Sequence, residues 1–237
     1  MIISHKHKFI FIKTTKTAGT SVEIALSRFC GEDDVVTPLM QKDEVMRKEY
    51  GGHGPQNFER ACKLTEYSKG DWWRLLSQGK RSKVSLFWNH ITANQIKSRI
   101  SPDQWDSYYK FCFVRNPWDR AVSRYFWNIE RDGIHENLDE SLKNNNPNSN
   151  FGIYSINGQV VVDFVGKYEN LMADFMTICQ TLKIPFDGEL PRAKSTSRKT
   201  KKHYSEILSS AQAEYIRQKC SQEVELFGYQ YAKASHV

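Results

Sequence analysis

The chain has 237 residues, 39% hydrophobic and 13% aromatic, which suits a folded α/β domain and excludes a disordered chain. Lys and Arg total 34 against 27 Asp and Glu, a net charge of +7 that fits an anionic ligand or nucleic acid. The apolar run 9–12 is too short for a signal segment or membrane span, and Lys13 ends it, so the chain reads as cytoplasmic. The five cysteines are scattered with no C-x-x-C, a pattern of reduced, packed thiols, and no metal site is suggested.

Residues 9–12 alternate as a buried strand should, and a turn of small and hydroxyl residues, 14–21, follows with Lys16 and Gly19 inside it. Val22, Leu26 and Phe29, with Ala25 beside them, then fall on one helix face. Strand, tight turn and helix start together make an anion site. The first helical amides have no intrahelical partner, and the helix dipole adds partial positive charge there. A lysine and several hydroxyls at that point suit a phosphate or sulfate, although an ordinary capped connection has the same outline.

Gly31 stops the helix, 34–37 reads as a short strand ended by Pro38, and 41–50 as a helix. Glycines surround His53 in a loop, and 60–82 is charged and aromatic, with Trp72 and Trp73 adjacent. Residues 51–82 are therefore expected to be an insertion lining an acceptor cleft. Residues 84–88 read as a second inner strand running into Asn89 and His90, with a helix over 92–100 and a Ser101-Pro102 start to another. A strand at 109–114, a turn at Arg115–Pro117 and a helix over 118–127 repeat the strand–turn–helix pattern, with Ser123 on that helix. Asn157-Gly158 predicts a hairpin, 165–169 an extended segment, and 170–182 an amphipathic helix. Arg192, Lys194, Arg198, Lys199, Lys201 and Lys202 follow without an acid, as a solvated loop or a lid over an anion. A final helix is predicted over 209–226.

This order predicts an α/β fold, a single domain over 1–237 with a P-loop-like, mostly parallel central sheet flanked by helices and a ligand at the carboxyl ends of the strands. Two anion sites suggest a ligand with phosphates at two places. A nucleotide-dependent kinase is one reading, but G-x-x-x-x-G-K-[ST] is absent because Lys16 precedes Gly19, and no acidic Mg²⁺ partner follows an apolar strand. A noncatalytic basic nucleic-acid-binding protein is another. It calls for exposed aromatics among basic residues, whereas Phe111, Phe113 and Trp118 fall in core patterns.

Lys16-Thr-Ala-Gly-Thr-Ser21 resembles the 5′-phosphosulfate loop, and Arg115-Asn-Pro-Trp-Asp-Arg-Ala-Val-Ser123 the 3′-phosphate motif, of the PAPS-dependent sulfotransferases. The likeness is nearest to the carbohydrate-type family that includes the heparan and dermatan/chondroitin enzymes and their bacterial relatives. It extends to 89–93, 162–171 and 226–229, in the family's order. Thr15 stands where many relatives have proline, which should loosen the turn, and no anchor of the Golgi kind is visible, which argues against a secretory location.

The resemblance implies transfer of a sulfuryl group from PAPS (3′-phosphoadenosine 5′-phosphosulfate) to a hydroxyl of a carbohydrate or other hydroxylated metabolite, releasing PAP. It implies no metal, nucleic acid or membrane partner. Lys16 is implied as the catalytic cation, with Thr17, Ala18, Gly19, Thr20 and Ser21 holding the phosphosulfate. Arg115 and Ser123 are implied for the 3′-phosphate, and Lys194 and Arg198 for a segment folding over the nucleotide. A general base is also needed. His90, after a predicted strand and heading a helix, is the first candidate, with His53 and Glu23 as alternatives.

Overall fold

The computed structural model, which describes residues 1–133, 136–144, 147, 149–191, 193 and 202–231, opens with β1 (Ile2–Ser4) and β2 (Phe9–Phe11). Next come α1 (Gly19–Ser27), β3 (Val35–Val36) and α2 (Gln41–Glu49). A side unit of β4 (Glu59–Ala61), α3 (Lys69–Gln78) and β5 (Lys83–Ser85) precedes α4 (Ala93–Lys97), α5 (Pro102–Ser107), β6 (Tyr109–Val114) and the long α6 (Pro117–Asp132). The chain continues through α7 (Leu138–Asn144), α8 (Phe151–Tyr154) and the hairpin of β7 (Ser155–Ile156) and β8 (Gln159–Val160). Then come β9 (Phe164–Lys167), α9 (Leu171–Thr181), α10 (Ser210–Lys219) and α11 (Ser221–Phe227).

The central sheet has the order β3-β1-β2-β6-β9. β2, β6 and β9 are parallel, and β1 is antiparallel to β2 and β3, so only β1 runs against the common direction. This is the α/β architecture with a mostly parallel central sheet that the sequence predicts. Side chains alternate between faces as strand geometry requires. Phe9, Phe11, Phe111 and Phe113 pack with Val22, Leu26, Phe175 and Ile178. Ile10, Ile12, Cys112 and Val114 pack with Ile91, Ile96, Trp105 and Tyr154. Each such fully buried Phe or Ile contributes roughly 1.5–3 kcal/mol of transfer free energy. Pairing of Phe9 with Tyr109 and Phe11 with Phe111 brings the ends of β2 and β6 side by side, and with them the two turns that follow.

One carboxylate organises the ground beneath the first turn. Glu23 on α1 is fully buried and accepts from Lys13 Nζ at 2.6 Å, the Met1 amine and Thr37 Oγ1 at 3.0 Å, and Arg47 Nη2 at 3.3 Å. Burial alone would raise its pKa. Lys13, the Met1 amine and Arg47 together outweigh burial and hold it at about 2.

Three expectations are corrected. The 84–88 stretch is no inner strand: β5 is exposed and pairs only with β4, while Leu86 and Phe87 leave it, both amides donating to the Phe58 carbonyl. The 209–226 helix is two helices, because Cys220 at φ −119° leaves helical geometry, its thiol donating to the Pro147 carbonyl at 3.1 Å. The helix expected over 118–127 runs on to Asp132, where Gly133 at φ 64° provides a left-handed cap. All five cysteines are unpaired and all but Cys62 are buried. Among the described residues no helix is long and apolar enough to cross a membrane.

Gly166 lets β9 approach β6, since a Cβ there would run into the Phe113 ring. Gly166→Ala is expected to cost about 1–3 kcal/mol in urea unfolding through overpacking, and an unchanged midpoint would contradict this. Glu23→Gln is expected to cost about 3–5 kcal/mol near neutral pH by leaving buried cations unpaired. Because the folded pKa lies below the ordinary 4.5, the stability from Glu23 is full above about pH 4.5 and fades as pH falls towards 2. The gap between variant and wild type should narrow over that window; an equal gap at pH 7 and pH 3 would refute the assignment.

Candidate active site

The turn after β2 is built to aim backbone amides at one point. Lys16 (φ 62°) and Ala18 (φ 57°) both take left-handed backbone without being glycine, alternating conformations of the kind that form anion-binding nests. Gly19 begins α1 and must be small, since a Cβ there would stand 2.8 Å from Lys13 Cγ. No side chain caps α1 and no acid occupies its first turn. The contrast with α6 is direct: there Asn116 Oδ1 accepts from the amides of Trp118 at 3.0 Å and Asp119 at 3.3 Å. The first turn of α1 therefore presents its amides and dipole to whatever anion lies before it. Thr14 and Thr17 share a hydroxyl contact of 2.8 Å, and Thr14 Oγ1 donates to the Phe113 carbonyl, fastening the turn to β6.

The second turn reaches back to the first. Arg115, buried at the end of β6, donates through Nε to Asp119 Oδ2 at 2.8 Å and through Nη1 to the Lys16 carbonyl at 3.0 Å. The same Nη1 lies 3.3 Å from Ser123 Oγ, and Tyr168 stacks on the guanidinium with 3.9 Å from Cζ to the ring centroid. Arg115 thus points its charge at Ser123 and fixes the peptide of Lys16 at once.

His90 sits at the opposite side of the turn. Its Nδ1 lies 2.9 Å from the Lys13 carbonyl oxygen. A carbonyl only accepts, so Nδ1 carries the proton and Nε2 is left as the acceptor. Desolvation by the surrounding protein lowers the His90 pKa to about 4; the bond to the Lys13 carbonyl opposes this and the Lys13 charge adds to it. Much of the residue's surface nevertheless opens to solvent. The ring is therefore neutral at physiological pH. Asn89, its neighbour, accepts from Lys13 Nζ at 3.1 Å and donates to the Pro38 carbonyl at 2.6 Å.

A single cavity of about 900 Å³ joins these groups. Lys16, Thr17, Ala18, Gly19, Thr20, Ser21, His90, Arg115 and Ser123 all line it. Lys194 and Arg198 lie outside the described residues, but Pro191 and Ala193 at the head of that basic segment reach the cavity, the Ala193 amide donating to Ser21 Oγ at 3.2 Å. The two alternative bases do not line the cavity. His53 is exposed, its amide donating to the Ser27 carbonyl, and Glu23 is sealed among its cations. None of residues 51–82 lines the cavity either, so Trp72 and Trp73 face solvent elsewhere. Arg124 and Trp127, not singled out from the sequence, also line the cavity; Trp127, four residues beyond Ser123, shares its face of α6. The Trp127 ring lies 5.0 Å from Lys16 Nζ. Among the described residues, no group of three or more His, Cys, Asp or Glu could hold a metal ion.

A profile of the sulfotransferase family matches residues 1–155, well over half of the chain and both strand–turn–helix units. A protein from Archaeoglobus fulgidus, described only as uncharacterized, is 35% identical over 101 residues, covering 40% of this chain and 84% of that protein. No solved structure matches. The profile match spans the uncapped start of α1, the Arg115 turn and the His90 loop alike, and the chain belongs to the sulfotransferase family.

Proposed function

We propose that this sulfotransferase takes its sulfuryl group from PAPS and delivers it to a hydroxyl of a carbohydrate or other hydroxylated metabolite, releasing PAP. The carrying observation is the uncapped, acid-free start of α1 facing the same cavity as Arg115 and Ser123. A donor with a 5′-phosphosulfate and a 3′-phosphate needs two anion cradles at a fixed separation. The Arg115–Lys16 bond supplies that fixed separation. One domain spanning 1–237 carries the activity, and unpaired thiols suit a reducing compartment such as the cytoplasm.

In this reading the amides of 18–20 and the hydroxyls of Thr17, Thr20 and Ser21 hold the 5′-phosphosulfate. Lys16 neutralises the oxygen that bridges phosphorus and sulfur as it departs with the bonding electrons. Arg115 and Ser123 hold the 3′-phosphate, the guanidinium kept flat by Tyr168. His90 Nε2 takes the acceptor proton as the hydroxyl oxygen bonds to sulfur, and the sulfur–oxygen bond to PAP breaks in line. Lys194 and Arg198, by the family resemblance, supply further cationic contacts to the nucleotide. Lys13 differs from Lys16 in role: its ammonium is committed to Glu23 and Asn89, and it acts through the backbone carbonyl that orients His90.

Transfer from PAPS to acceptors in a cell extract, followed by mass, tests the reaction and identifies the acceptor. Lys16→Ala is expected to lower turnover about 10²–10³-fold with little change in PAP binding, as for loss of a transition-state donor. Arg115→Ala should instead weaken PAP binding about ten-fold or more; the reverse pattern would overturn the two roles. His90→Ala should bind PAP and fail to transfer, and retained transfer would remove it as the base. Since a base works only when deprotonated, the wild-type rate should fall as pH drops through about 4, and an acid limb at 6.5 would contradict a histidine held neutral by its surroundings.

A further inference from the structure

Arg124 lies one residue past Ser123 on α6, mostly buried, and lines the cavity. Among the described residues no carboxylate pairs with it. The acid in the neighbourhood, Glu223, is engaged by Arg120 at 3.1 Å and by the Asn150 amide at 3.2 Å. Burial lowers the Arg124 pKa, and the nearby charge of Arg120 lowers it further. A largely desolvated guanidinium without a counter-charge is costly, so its place beside an anion cradle calls for an explanation.

Its orientation is fixed by the turn itself. Arg124 Nη2 donates to Thr15 Oγ1 at 2.9 Å, and that hydroxyl can accept because its own proton goes to Asn150 Oδ1 at 2.7 Å. Asn150, which is 2% exposed, also accepts from the Thr15 amide at 3.1 Å and donates to the Thr15 carbonyl at 3.0 Å. Thr15, immediately before Lys16, is thereby held on its amide, carbonyl and hydroxyl. A proline there could offer neither the amide nor the hydroxyl.

We infer that Arg124 is a second cation of the phosphosulfate cradle, oriented by Thr15 and Asn150 to receive an anionic oxygen of the donor bound at Lys16. The ligand class is a sulfate or phosphate ester, and Thr15 and Asn150 are positioning residues. The inference rests on reading the cavity as a PAPS site.

Calorimetric binding of PAPS, PAP and adenosine 5′-monophosphate, without acceptor, to the wild type, Arg124→Gln and Arg124→Lys tests it, with the melting temperature of each free protein. Arg124→Gln is expected to weaken PAPS binding about ten-fold or more, with Arg124→Lys recovering part of the loss. The free Arg124→Gln protein should melt no lower than wild type, because the change removes an unpaired cation. A loss for PAPS alone assigns the contact to a sulfuryl oxygen, an equal loss for PAP and for adenosine 5′-monophosphate assigns it to the 5′-phosphate, and a loss for PAP with none for adenosine 5′-monophosphate would place Arg124 at the 3′-phosphate and overturn the inference. Unchanged PAPS affinity, or a weakened affinity accompanied by a lowered melting temperature, would overturn the inference. If the wild type binds neither PAPS nor PAP, the reading of the cavity fails and this inference falls with it.

Discussion

The bond from Arg115 Nη1 to the Lys16 carbonyl, 3.0 Å long, joins two turns that lie 99 residues apart in the chain. Everything at the site depends on that junction. It exists because β2 and β6 are parallel neighbours, so their carboxyl ends and the following helices meet at one edge of the sheet. The Thr14 hydroxyl on the Phe113 carbonyl repeats the link two residues deeper. Two short segments, each an ordinary strand–turn–helix by itself, are joined into one wall of a single cavity.

The distribution of charge around the cavity follows from what is allowed to pair. Lys13 and Lys16 are three residues apart, yet Lys13 turns inward to Glu23 and Lys16 lies in the cavity wall near Trp127. Asp119 and Glu223 pair with Arg115 and Arg120, and no acid sits in the first turn of α1. Low dielectric makes such arrangements costly when unbalanced and effective when an anion completes them. The Glu23 cluster offsets part of that cost by anchoring Lys13, and Lys13 in turn fixes the tautomer of His90 through its carbonyl. The floor of the site is thus electrostatically saturated and its wall is cationic.

Much of this was legible in the sequence because its signals are local. The apolar alternation of 9–12, the small residues of 14–21 and the Arg115–Pro117 turn each specify their own conformation, and the cavity gathers residues 14–21 with Arg115 and Ser123. What was not legible depends on partners distant in sequence. Glu23 reads as a candidate base until Met1, Lys13 and Arg47 are seen to surround it. Residues 84–88 have strand-like composition, but the central sheet is made of β3, β1, β2, β6 and β9, and Val84 and Ser85 pair with β4 in a separate two-stranded sheet. The replacement of proline by Thr15 looks like a loosened turn in sequence, whereas Asn150, 135 residues away, ties that residue down.

The central claim is that the two turns recognise a nucleotide bearing both a 5′-anion and a 3′-phosphate. The most direct measurement is a side-by-side comparison of PAP, adenosine 5′-monophosphate and ATP with Mg²⁺, by calorimetry or by ligand-induced stabilisation. The account predicts that PAP binds about ten-fold or more tightly than adenosine 5′-monophosphate, because only PAP engages Arg115 with charge-assisted hydrogen bonds. Equal affinity for the two, or stabilisation by ATP with Mg²⁺ and none by PAP, would contradict it.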